Sequence, residues 1–74
     1  MPLFSISAMS FGGQGIALMV IADRAKDGAV AETAVRQIQA AYETLRSGGE
    51  KHLSAYFQLR LTKAQAIRDR LKGQ

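Results

Sequence analysis

Apolar side chains recur every three or four positions between residues 28 and 47, which is the spacing of one face of an α-helix. Asp27 precedes this segment as a candidate N-cap, and Gly48 and Gly49 follow it as candidate terminators. The sequence therefore predicts an amphipathic helix over about 28–47. Its apolar face consists of Ala31, Ala34, Val35, Ile38, Ala41, Tyr42 and Leu45.

Residues 50–72 carry a second helical pattern with a less regular polar side. Arg60 projects into the apolar stripe, and the far side is small and neutral, with Ser54 among its residues. Thr62 begins a pattern typical of a capping box, which allows a break near residue 61. Two amphipathic helices joined by a short loop pack as antiparallel neighbours, so we expect a helical hairpin. The apolar stripe of the second predicted helix, 50–72, consists of Leu53, Phe57, Leu61, Ala64, Ile67 and Leu71.

The hydrophobic N-terminal segment, residues 1–27, is ambiguous in secondary structure. Residues 4–8 alternate as a strand does, glycines follow as in a turn, and residues 16–22 are apolar on every side, which fits a β-hairpin. However, Ala, Leu and Met favour a helix, and no breaker occurs between residue 16 and Gly28. We favour a helix over about 14–26 after an extended arm, with Gly12, Gly13 and Gly15 as the joint between them.

These elements predict a mostly α fold in one small domain over residues 1–74. It combines the N-terminal segment with an antiparallel helical hairpin of about 28–47 and 50–72. The alternative is an α+β fold in which the two helices cover an N-terminal β-hairpin. A domain of 74 residues and 8.0 kDa buries only about 60% of its unfolded surface, so its core alone gives marginal stability. This size favours an oligomer or a complex with another protein.

Charge is distributed unevenly along the chain. Residues 1–22 hold no charged side chain, whereas residues 51–74 hold six basic residues and one acidic residue, a net charge of +5. A basic segment favours binding to an anionic partner such as nucleic acid, anionic lipid or an acidic protein. The candidate anion contacts are Lys63, Arg70 and Lys72.

Residues that carry catalytic or metal chemistry are sparse. The chain has no cysteine and a single histidine, His52, and its six acidic residues are scattered singly. A hydrolytic dyad would need an orienting carboxylate and an oxyanion site, and a zinc site would need further ligands. The sequence therefore predicts no enzyme activity, no cofactor, no metal and no small-molecule substrate.

The uncharged stretch over residues 3–22 has the minimum length for a membrane span, although serines and glycines dilute it. We expect it instead to be covered by protein, because monomers seldom expose so much apolar surface. The predicted function is a small structural or adaptor subunit that self-associates or docks into a larger assembly, in the cytoplasm or within that assembly. The candidate partner contacts are Leu3, Phe4, Ile6, Met9 and Phe11.

Two alternative functions come from other classes. One is a membrane-associated protein anchored by residues 3–22. The other is a nucleic-acid binder that uses the basic helix, residues 51–72, without sequence specificity.

Overall fold

A computed structural model describes the backbone of residues 3–73 and the side chains of residues 8–73. This part of the chain contains three α-helices and no strand: α1 (Leu3–Ala25), α2 (Gly28–Ser47) and α3 (Lys51–Lys72). The predicted pair of helices, 28–47 and 50–72, is confirmed. The α+β alternative is wrong, because the segment proposed for the β-hairpin lies within α1.

A tight turn of Lys26 and Asp27 joins α1 to α2. The N–H of Asp27 donates to the carbonyl of Ala22 at 3.1 Å and so closes α1. The Asp27 carboxylate accepts the N–H groups of Ala29 at 3.1 Å and Val30 at 3.2 Å at the start of α2. The prediction that Asp27 caps α2 is confirmed. Lys26 has a positive φ of 54°, a left-handed conformation that is unfavourable for a residue with a side chain.

The turn between α2 and α3 ends α2 with a glycine, as predicted. Gly49 has a φ of 80° and donates its N–H to the carbonyl of Arg46 at 3.2 Å. The N–H of Glu50 reaches the carbonyl of Leu45 at 2.9 Å. These two bonds satisfy carbonyls that the end of a helix leaves without partners.

The helix α2 lies between the other two and packs extensively on both, whereas α1 and α3 touch each other little. The Cα atoms span 41 × 16 × 13 Å, so the molecule is an elongated array of three helices. Ile38, near the middle of α2, and Leu45, in its last turn, are fully buried. The remaining apolar core is formed by Ala8, Met19, Ala22, Ala31, Ala34, Val35, Ala41, Phe57, Ala64 and Ile67.

The prediction of an extended arm before residue 14 is wrong, because α1 begins at Leu3 and continues through all three glycines. Gly12 and Gly15 are buried. A Cβ atom at Gly12 would lie 2.8 Å from Cβ of Ala41, and one at Gly15 would lie 2.8 Å from Cγ1 of Ile38. These two glycines therefore let α1 approach α2 closely and do not act as a joint.

Two details of α3 also differ from the sequence-based expectation. The helix does not break near residue 61, and the Thr62 hydroxyl donates to the carbonyl of Gln58 at 3.1 Å within the helix. Ser54 is buried and not on the far side. Its burial is tolerated because its hydroxyl donates to the carbonyl of Lys51 at 3.0 Å.

Candidate interaction surfaces

The described residues hold no group of three or more His, Cys, Asp or Glu side chains that could bind a metal ion. His52 is exposed near the start of α3. Three sets of surface side chains are candidates for contact with a partner: the basic end of α3, the outer side of α1 and the outer side of α3.

The three candidate anion contacts, Lys63, Arg70 and Lys72, lie in different surroundings. Arg70 forms an ion pair with Asp23 of α1. Lys72 forms one with Glu32 of α2, at 3.0 Å between Nζ and Oε1. Lys63 is exposed. The structure thus directs Arg70 and Lys72 towards different helices and does not gather the three side chains into one cluster.

Glu32 receives a second basic side chain, since Nε of Arg68 lies 3.9 Å from its Oε1. The hydrogen bond from Lys72 is the main cause that holds the pKa of Glu32 below its ordinary value of 4.5. The charges of Lys72, Arg68 and Arg36 lower this pKa further. Much of the charge at the basic end of α3 is therefore paired within the protein, in part with Asp23 of α1 and Glu32 of α2.

The predicted partner contacts at the N-terminus are divided by the structure. Met9 is partly buried and packs against the core, whereas Phe11 is 43% exposed. The side chains of Leu3, Phe4 and Ile6 lie outside the described residues. Of the two members of this set whose side chains the structure describes, Phe11 is therefore the more accessible to another molecule.

The outward side of α1 is uncharged along most of its length. We call its exposed positions between residues 10 and 21 the uncharged face of α1. Val20 is 43% exposed and Ile21 is 53% exposed on this face, and the first charged residue of the helix is Asp23. The uncharged face comprises Ser10, Phe11, Gly13, Gln14, Ala17, Val20 and Ile21.

The exposed side of α3 centres on Leu59, whose side chain is 73% exposed. Tyr56 lies one turn before it and is also exposed, with the guanidinium of Arg60 5.0 Å from the centre of its ring. Apolar periodicity alone does not single out Leu59, although a leucine two positions after Phe57 departs from the apolar spacing. The outer face of α3 comprises His52, Ala55, Tyr56, Leu59, Thr62, Lys63 and Ala66.

The membrane-anchor alternative requires a helix that crosses the bilayer. Within residues 3–73 none of the helices, α1 included, combines the length and the apolar content needed for this.

The chain matches no protein-family model, no curated protein and no solved structure.

Proposed function

We propose that this protein is a non-enzymatic structural or adaptor subunit. It uses the uncharged face of α1 to associate with another protein chain, either a second copy of itself or a component of a larger assembly. The observation that carries this proposal is that α1 exposes Phe11, Val20 and Ile21 without a charged side chain from residue 8 to residue 22.

The contrast with α2 supports this proposal. The exposed side of α2 holds Arg36, Glu43 and Arg46, as is usual for a helix that faces water. Between residues 8 and 22, the corresponding side of α1 has no charged residue. An uncharged outer surface is typical of a helix that packs against a further partner, because the fully buried part of an interface is depleted in charge.

The composition of the exposed surface, and not its size, supports the proposal. The accessible area is 4696 Å². A monomeric protein of this mass exposes roughly 4,450 Å² according to the general scaling with mass. The total area is therefore ordinary, whereas three of the five exposed large hydrophobic side chains among the described residues, Phe11, Val20 and Ile21, lie on α1.

The proposal is tested by measuring mass in solution by sedimentation equilibrium. We expect the parent protein to form a defined oligomer and the Ile21→Glu variant to form a smaller species, because a carboxylate would be buried at the contact. Gln39→Glu is the matched control, since it adds the same charge at an exposed position of α2. A monomeric parent at high concentration would contradict self-association.

Docking into a larger assembly is tested with the same pair of variants. Tagged parent, Ile21→Glu and Gln39→Glu proteins are isolated from cells that produce them, and the co-purifying proteins are quantified. Loss of a stoichiometric component with Ile21→Glu alone is the expected result. If both variants retain all components equally, the uncharged face of α1 is not the docking surface.

A further inference from the structure

The outer face of α3 is a second surface that the proposed function does not use. Leu59 protrudes from it, and Tyr56 and Lys63 lie one turn before and one turn after this leucine. The remaining positions of the face are small or neutral, so no large side chain of α3 shields Leu59. An aliphatic side chain, a tyrosine and a lysine are thus exposed side by side along two turns of one helix.

The charge of this part of α3 is positive and is not neutralised within the protein. No carboxylate occurs between Glu50 and Asp69, whereas Lys51, Arg60 and Lys63 lie in that interval. None of these three basic residues takes part in an ion pair among the described residues. Three carboxylates lie around the C-terminal end of α3, and each is already paired with a basic side chain. They are Asp23 of α1, Glu32 of α2 and Asp69 of α3 itself.

The exposed leucine, tyrosine and lysine, together with the unpaired positive charge, distinguish between three kinds of partner: a second copy of the chain, nucleic acid and an anionic bilayer. A second copy that used the same face would bring positive charge against positive charge, which opposes association. Nucleic acid would satisfy Lys63 but would leave Leu59 against a charged sugar–phosphate backbone. An anionic bilayer accommodates all three side chains, because lysine reaches the headgroups, tyrosine favours the interfacial region and leucine enters the boundary with the acyl chains.

We propose that the outer face of α3 binds the surface of an anionic lipid bilayer, with α3 lying in the plane of that surface. This contact is peripheral, requires no helix to cross the bilayer, and leaves the uncharged face of α1 free for a protein partner. It goes beyond the proposed function, because it uses different residues and a different class of partner.

The test is co-sedimentation of the full chain with lipid vesicles at low ionic strength. We expect binding to vesicles of phosphatidylcholine and phosphatidylserine at a ratio of about 7:3, with weak binding to phosphatidylcholine alone. Raising the salt concentration from about 50 mM to about 500 mM weakens the binding, because salt screens the attraction between exposed charges.

Two variants and one control locate the contact. Lys63→Gln is expected to lower the partition constant about five-fold, which corresponds to one basic residue at an anionic surface. Leu59→Ser is expected to lower it about ten-fold through lost apolar burial. Arg36→Gln removes the same charge from the exposed side of α2 and should change binding less than two-fold. Circular dichroism confirms that each variant remains helical.

Several results would overturn the lipid proposal. Equal partition into neutral and anionic vesicles would remove the charge argument, and equal losses with Arg36→Gln and Lys63→Gln would show that net charge alone acts. Binding to duplex DNA that Leu59→Ser leaves unchanged, without binding to vesicles, would make this a phosphate-binding face for nucleic acid. None of these results alters the effect of Ile21→Glu on mass, so the two proposals fail separately.

Discussion

Gly12 of α1 lies against the ring of Phe57 of α3, and a Cβ atom added at residue 12 would lie 2.5 Å from Cε1 of Phe57. This contact is one of the few between α1 and α3, and it exists because residue 12 has no side chain. Gly13, the next residue, has no neighbouring atom within 4 Å of the same added Cβ. Two adjacent glycines of one helix therefore have opposite roles.

Substituting alanine at each of these glycines should change stability in opposite directions. Gly13→Ala is expected to raise the free energy of unfolding by about 0.5–1 kcal/mol, because alanine favours the helix and meets no obstacle. Gly12→Ala is expected to lower it by about 1–2 kcal/mol, because overpacking outweighs the same helical gain. Urea unfolding followed by circular dichroism measures both. A stabilised Gly12→Ala protein would show that Phe57 moves aside without cost.

The left-handed residue in the first turn offers a stabilising substitution. Lys26 occupies the conformation that Gly49 occupies in the second turn, and glycine adopts it with less strain. Lys26→Gly should therefore raise the free energy of unfolding by about 0.5–1 kcal/mol. Lys26→Ala is the control and should change it little, since alanine retains the Cβ atom. Equal effects of the two variants would indicate that the lysine charge, and not backbone strain, sets the stability of this turn.

The buried centre of α2 should be the most sensitive part of the protein. Ile38 has no exposed surface, and Ile38→Ala is expected to cost about 2–5 kcal/mol. The total stability expected for a chain of this length is about 4–11 kcal/mol, so the variant should lose much of its helical circular dichroism near room temperature. Leu59→Ala, at an exposed position, is the control. A thermal midpoint of Ile38→Ala within a few degrees of the parent would contradict the central position of Ile38.

The pair of Glu32 and Lys72 should make stability depend on pH. The folded protein holds the pKa of Glu32 below 4.5, so the pair stabilises the folded state above that pH and loses its effect as the pH falls through the lowered value. The parent should therefore exceed Lys72→Gln in free energy of unfolding near neutral pH. This difference should narrow as the pH falls from about 7 to about 3.

Lys63→Gln is the control for the pH experiment, because Lys63 takes part in no ion pair among the described residues. Its difference from the parent should stay constant over the same pH range. A difference between the parent and Lys72→Gln that does not vary with pH would mean that Lys72 acts through packing of its aliphatic chain.

The sequence was sufficient to locate α2 because three independent signals agree there: apolar periodicity, an aspartate cap and a terminal glycine. The failure at α1 has a physical cause. Its buried positions include Gly12 and Gly15, which contribute to the core by their small size and not by hydrophobicity. A glycine within a helix is unfavourable by helix propensity alone. The close packing of α1 on α2 that Gly12 and Gly15 allow outweighs this cost in free energy. The spacing of Ala8, Gly12, Gly15 and Ala22 was the signal that could have revealed it.

The surfaces were predictable only in part. The absence of charge in residues 1–22 accounts for the uncharged outer side of α1 between residues 10 and 21, but the extended arm predicted before residue 14 was wrong. The basic residues of α3 were visible in the sequence, whereas their partners were not. The pairing of Arg70 with Asp23 joins residues 47 positions apart, and such a contact depends on how three helices come together.

The central position of α2 also has a consequence for the rate and order of folding. Nearly all interhelical contacts join helices that are consecutive in the chain, across very short turns. Proteins with such local contacts fold within microseconds to milliseconds. Since α1 and α3 barely depend on each other, either can dock first, and two folding routes are open. Substitutions in α2 should slow refolding on both routes, whereas substitutions in α1 or α3 should mainly accelerate unfolding.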